Sequence, residues 1–420
     1  MIELIQKSKE RNQKVLIITV CTMICFSPFT HFANQLCRTI FGAGFSLDTL
    51  LCYAILAGMI LASLKQLHFQ IKIDALLVLI LFAVAFGLTY AFAGSNRIYM
   101  FTEWNDFAGN PLYLLFVFSL PGYVFMRYIT DYDRLFEICR RFSVVVVFCS
   151  LGSFVLLLLR DKQPEYMSFS YNLLFATVFS TISFFEKKKN LSLVAAIIGI
   201  LLIFLVGARG PLLCYLFSLF VYLLMSKAAI AKKLVLVFLL FSAGVIILLL
   251  WNQMLLTLKD TVEQIGISSR TIDILLEGEI FSDSSRGEIQ KTIIVGFTLL
   301  GRGLYGDRVV GDGHYSHNLI IELISQWGYL LGTLIVVLLG VLFFKGFRTK
   351  NQTLRLLILA FFSSSVVKLM LSESYLAHNV LLFVLIAACV NALEEEKLQR
   401  AGEEQEPAIK KKSKYIKYRD

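Results

Sequence analysis

The stretch from His314 to Gly328 reads HYSHNLIIELISQWG and carries a dense set of polar groups in a chain that is 57% hydrophobic. On a helix, Asn318, Glu322 and Gln326 stand at i, i+4 and i+8 and form one polar stripe among Leu, Ile and Trp. Such a stripe at a membrane face is expected to line a wet cavity rather than to meet lipid. His317 sits at its mouth, where an imidazole titrating near neutrality suits a general base toward a hydroxyl; a histidine that merely caps the helix start is the plainer reading. His314, His317 and Asp312 lack a set third ligand, and no metal site is expected.

Arginine supplies the second signal. Arg209, in Gly207-Ala208-Arg209-Gly210-Pro211, separates two apolar runs. A charge at membrane depth is costly, so its presence points to function. The glycines let a lipid headgroup or another chain approach the backbone, and Pro211 suits a first helical turn whose free amides can hold an anion. The alternative is a turn whose arginine snorkels to headgroups. Arg286, in Ser284-Ser285-Arg286-Gly287-Glu288, repeats the Arg-Gly pair. Guanidinium forks match phosphate oxygens with paired hydrogen bonds, so a lipid-linked pyrophosphate is the guest the two would suit. Arg302 and Arg308 either add to that field or are solvated loop charges. Gly301-Arg302-Gly303-Leu304-Tyr305-Gly306 fits GxGxxG, but no βαβ unit surrounds it; it reads as a glycine-rich turn, not a nucleotide site. Lys368 with Glu373, and His378 with Asn379, read as interhelical bonds or an interface pair.

The elements that must position these groups are membrane helices. Charged residues make up 17% of the 420, against about a quarter in soluble domains. A helix needs about 20 apolar residues to cross a bilayer. Windows of that kind fall near 15–36, 44–64, 71–93, 111–127, 142–160, 168–185, 191–207, 211–226, 233–252, 327–345, 353–371 and 376–392. The fold class is therefore an all-α polytopic membrane protein of about 12 transmembrane helices. Residues 1–392 form one integral membrane catalytic domain with a large extracytoplasmic loop at about 253–318, and 393–420 form a charged, mobile cytoplasmic tail.

The net charge of +10 lies in short clusters between apolar runs, with the rest in the tail. This is a topology signal and no sign of nucleic acid: the basic segments alternate so as to put both termini in the cytoplasm. Five cysteines (Cys21, Cys25, Cys52, Cys149 and Cys214) fall inside apolar runs and no CxxC pair occurs, so no disulfide is expected. Lys7 to Lys14 before an apolar run looks like half a signal peptide, but without a small-residue cleavage site it reads as an uncleaved first helix. Within the large loop, Ile265 to Ile280 is amphipathic enough for a surface helix, and Ser282 to Ser285 reads as its turn or cap.

Taken together, Gly207-Ala208-Arg209-Gly210, Ser285-Arg286-Gly287, the 301–306 glycine turn and His317-Asn318 through Glu322 to Gly328 and Gly332 resemble the O-antigen ligase and polymerase superfamily. That superfamily includes the Wzy-type polymerases of O-antigen, capsule and exopolysaccharide assembly. The motifs lie between about 205 and 332; the first half matches by hydropathy alone. The resemblance implies a GT-C-like membrane glycosyltransferase in the bacterial cytoplasmic membrane, with its site on the outer face. Its donor would be an undecaprenyl-pyrophosphate-linked oligosaccharide, with lipid pyrophosphate leaving and no cofactor required. Arg209 and Arg286 would neutralise the leaving group and His317 would activate or orient the acceptor hydroxyl. Arg302, Tyr305, His314, Asn318, Glu322 and Gln326 would contact substrate. Membrane lipid, a flippase and a chain-length regulator are the implied partners. The expected reaction is polymerisation of lipid-linked repeat units. A ligase-type transfer to a lipid or surface anchor shares the motifs, while a flippase or transporter should place its polar groups near the midplane with broken helices there.

Overall fold

The structure, a computed structural model, describes residues 2–42, 47–67, 71–101, 114–160, 162, 164–206, 209–225, 256–257, 259–260, 285–377 and 379–416. Among these residues all regular structure is helical. The main helices are α1 (Ile2–Ile24), α2 (Phe26–Phe41), α3 (Leu47–Gln66), α4 (Ile73–Phe92, followed by the short helical turns Gly94–Asn96 and Arg97–Phe101), α5 (Leu120–Met126, preceded by a π-helical stretch Leu114–Ser119), α6 (Tyr132–Leu158) and α7 (Tyr166–Lys187). They continue with α8 (Asn190–Val206), α9 (Arg209–Met225), α10 (Ser285–Val295), α11 (Gly306–Val310) and α12 (Leu319–Phe347). The last are α13 (Gln352–Ser364), α14 (Val366–Leu371) and α15 (Val380–Ile416).

Apolar runs become helices because lipid offers backbone amides no partner, so each segment must bond to itself. Their starts are set by polar caps. The side chains of Asp131, Asn318 and Asn351 accept hydrogen bonds from the first free amides of α6, α12 and α13, each cap worth about 1 kcal/mol.

Six described helices are long and apolar enough to cross a membrane, or seven if α1 and α2 count as one bent span. Shorter apolar helices cover Leu114–Met126, Asn190–Val206 and Gly210–Met225. Helix fills most of the described part of every expected window except 233–252, which lies outside the described residues. So does the surface helix expected at 265–280, with its cap at 282–284. The first expected span is corrected: it bends by 65° between α1 and α2. Pro28, in the first turn of α2, has no N–H to give the carbonyl of Ile24, so a straight helix cannot continue through it. α15 runs from its apolar start to Ile416, so the charged segment from 393 continues the last helix.

α7 is the centre of the bundle, 78% of its apolar window being buried, whereas α4 and α12 bury only 17% each and leave their apolar sides exposed. Phe175 and Phe179 of α7 pack on Phe361 of α13 and Phe136 of α6. Polar contacts fall at the two ends. At one, the buried guanidinium of Arg127 donates to Asp74 at 2.6 Å and bonds Glu394, Lys72 reaches Glu394 at 3.2 Å, and Thr353 donates to Asp133 at 2.6 Å. Gln13 donates to the Tyr128 carbonyl there at 2.8 Å. The basic segments around 7–14, 65–72, 127–141 and 345–355 and the start of the segment at 397–419 thus share one end of the molecule, while 227–233 lies outside the described residues. The opposite end holds the candidate site.

Candidate active site

α12 is two helices folded against each other. At Gly328 the backbone takes φ 81° and ψ 170°, a region that L side chains rarely adopt. A side chain on Gly332 would come 2.7 Å from the Cα of Ile324, although the two would lie about 12 Å apart along a straight helix. The segment 319–327 therefore doubles back onto the start of the membrane-crossing part.

The glycine-rich turn closes that hairpin. Arg302 N donates to Ser325 O at 3.1 Å, Gly303 N to Gln326 O at 3.0 Å and Tyr329 N to Thr298 O at 3.1 Å. The first two amides cap carbonyls that the end of the 319–327 helix leaves free. Gly301, at φ 82°, lies so close to Gly328 that a Cβ on either would overlap the other's backbone. The GxGxxG pattern is thus a backbone clasp.

Two of the three stripe residues, Glu322 and Gln326, are buried rather than lining a wet cavity, which corrects their expected role, while Asn318 is half-buried. Glu322 is 1% exposed and Gln326 2%. Glu322 accepts from the Ser374 hydroxyl, from Tyr375 N at 3.2 Å and from Gln326 Nε2 at 3.3 Å. Gln326 also donates to Asp307 at 2.9 Å and accepts from the Tyr375 hydroxyl at 2.7 Å, and Tyr375 accepts from Trp327 Nε1 at 3.0 Å. Asp307 is fully buried; burial pushes its carboxyl above the usual range, and its bond from Gln326 and the nearby Arg308 charge partly offset this. Asn318 caps α12 through Ile320 N and Ile321 N. Tyr305, expected to contact substrate, is wholly buried against Phe86. The exposed Arg302 gives its Nε to Gly296 O at 2.8 Å. These groups hold the site's frame together, because a buried polar group needs its partners.

The residues free to meet a ligand lie on top of that frame. α10 is strapped down by Arg286 Nη1 donating to Leu371 O and Gln290 Nε2 donating to Ser316 O, each at 3.1 Å. This sets Arg286 within electrostatic reach of His317, beside His314. Burial first, then Arg286 and His314, lower the His317 imidazole to about 4. The imidazole is therefore neutral at physiological pH, which corrects the expected titration near neutrality. Its buried Nδ1 has no hydrogen-bond partner among the described residues, and its ring lies 4.0 Å from that of Tyr315. His317 has φ 52° and Glu373 φ 65°; strain of this kind, about 1–3 kcal/mol per residue, gathers at functional sites.

Glu373 pairs with the largely buried Lys368 at 2.6 Å, the interface pair that the sequence suggested. Lys368 lies over the Tyr171 ring at 5.2 Å. Tyr171 feels both Arg286 and Glu373, and a Cβ on Gly210 would overlap its hydroxyl. The start of α9, which Arg209 opens, thus borders the same cluster as Arg286 and His317; the Arg209 side chain lies outside the described residues, as does His378. Asn379 is buried and bonds Ser374 O.

Sequence reasoning missed Tyr171, Tyr315 and Ser372, whose side chain sits against both phenols. Tyr315 stood in view between the two histidines. Nothing local marks Tyr171 apart from the other aromatics of α7.

The apolar helices, their two-ended polar contacts and the cationic cluster at one end define the class: an α-helical, multi-pass membrane protein. No family model, curated protein or solved structure matches the chain.

Proposed function

We propose that the chain is a membrane glycosyltransferase that polymerises oligosaccharide repeat units carried on undecaprenyl pyrophosphate, with about twelve spans in a GT-C-like arrangement and its site on the outer face of the cytoplasmic membrane. The observation that carries this reading is the convergence of Arg286, His314 and His317 beside the helix start opened by Arg209. A pyrophosphate leaving group needs cations aimed at developing charge in a site shielded from water. Arg286 supplies a fork, and the first amides of α9 supply a helix N-terminus.

His317 takes a role that fits a neutral ring. The ring accepts a hydrogen bond from the acceptor hydroxyl, orients it toward the anomeric carbon and takes its proton as the hydroxyl oxygen attacks. The bond from that carbon to the pyrophosphate oxygen breaks as the new C–O bond forms. Anionic substrate beside Arg286 offsets the field that lowers His317, so the ring becomes a better proton acceptor when donor is bound.

The test is reconstitution of the purified chain with a lipid-pyrophosphate-linked oligosaccharide as the sole substrate. A ladder of products that disappears in Arg286→Ala and His317→Ala is expected. Transfer only after a lipid anchor is added would make it a ligase, and transport without transfer a flippase.

A further inference from the structure

Beside the cationic cluster, across the first turns of α7, lies a pocket lined by Pro28, His31, Ser150, Ser153, Ser168, Phe169 and Asn172, with Glu165 at its rim. Ser153 is wholly buried, yet its hydroxyl has no hydrogen-bond partner among the described residues, and neither has the His31 Nε2. Asn172 is fixed by donating to Ser27 at 2.8 Å. Glu165 and Ser168 are exposed, so the pocket opens at the end of the bundle that also carries Arg286.

The lining identifies the chemistry of its guest. It offers hydroxyls, an imidazole and an amide, which both donate and accept, against apolar walls at Pro28 and Phe169. Among the described residues its lining holds no Lys or Arg, and the Glu165 carboxylate at its rim disfavours an anion. Buried donors left unpaired are costly, and a ligand with several hydroxyls would satisfy them. A pyranose ring has that combination of hydroxyl edges and apolar faces.

We propose that this pocket is a saccharide subsite that holds a neutral pyranose unit of the glycan handled at the Arg286 and His317 cluster. Its assignment to that glycan rests on the proposed transfer reaction; its capacity to bind sugar does not. α7 joins the two, since Tyr171 borders the cluster while Ser168, Phe169 and Asn172 line the pocket.

Saturation-transfer NMR on the full chain in micelles, with methyl glycosides of glucose, galactose, mannose and N-acetylglucosamine as probes, tests this. At least one glycoside should bind the wild type, and its affinity should fall tenfold or more in Ser153→Leu, which fills the pocket. Ser168→Trp, at the exposed rim, should do the same without touching buried packing, and it decides the matter if Ser153→Leu does not fold. Arg286→Ala should leave glycoside binding intact. Failure of every glycoside to bind the wild type, or binding unchanged in Ser168→Trp, overturns the proposal. A wild type that binds glycoside but transfers nothing from the lipid-linked donor would instead overturn the proposed function and leave the sugar pocket standing.

Discussion

At the scale of single residues, His317 shows how a neighbourhood sets chemistry. An imidazole has an ordinary value near 6.5, and burial with Arg286 and His314 takes this one to about 4. Between those values the unfolded chain binds the proton that the folded one refuses, so this group's contribution to stability is present above about 6.5 and is lost as pH falls toward about 4. The kcat/KM of transfer should stay level on the acid side of neutrality and drop only near that lower value; a break near 6.5 would show an ordinary imidazole. Arg286→Ala removes one cause of the shift, so the His317 resonance, followed by 15N-histidine NMR, should titrate at higher pH. The same variant should lose transfer by about 100-fold to 1000-fold, the size of effect seen when a charge-stabilising donor is removed.

At the scale of elements, the hairpin at Gly328 and the carboxylate network beneath it make separate predictions. Gly328→Ala would force a side chain into φ 81° and onto the backbone of Leu299 to Gly301. It should cost at least about 1–3 kcal/mol, read as a lower thermal midpoint in detergent. Gly340→Ala on the same helix is the control, since nothing lies within 4 Å of its added Cβ, and it should be neutral. Glu322→Ala deprives Ser374, Tyr375 N and Gln326 of an acceptor. Each buried donor so orphaned costs about 1–3 kcal/mol. This variant should unfold earlier, and its loss of transfer should follow the loss of folded protein.

Over the whole molecule, the two ends have different duties. Arg127, buried between Asp74 and Glu394, ties α4, α5 and α15 together far from the candidate site. Arg127→Ala should lower the thermal midpoint while transfer per folded molecule is kept, the reverse of Arg286→Ala. The exposed residues Ser95 and Gln352 belong to opposite ends. A membrane-impermeant maleimide added outside intact cells should label Ser95→Cys and spare Gln352→Cys, above the background of native thiols. Labelling of both from outside would break the two-ended arrangement.

The sequence by itself determined the helical membrane class and the gathering of basic segments at one end, because apolar run length and charge placement act locally against the bilayer. It also marked Arg286, His317 and the glycine turn as special. The fate of the polar stripe was decided by the tertiary structure alone. Spacing puts Asn318, Glu322 and Gln326 near one face of a helix, but what lies across that face is set by Asp307, Ser374 and Tyr375 from other parts of the chain. The same holds for Tyr171, an ordinary aromatic of α7 until the fold sets Lys368, Glu373 and the start of α9 around it. Burial and electric field depend on distances in space between segments remote in the chain, and no local pattern records them.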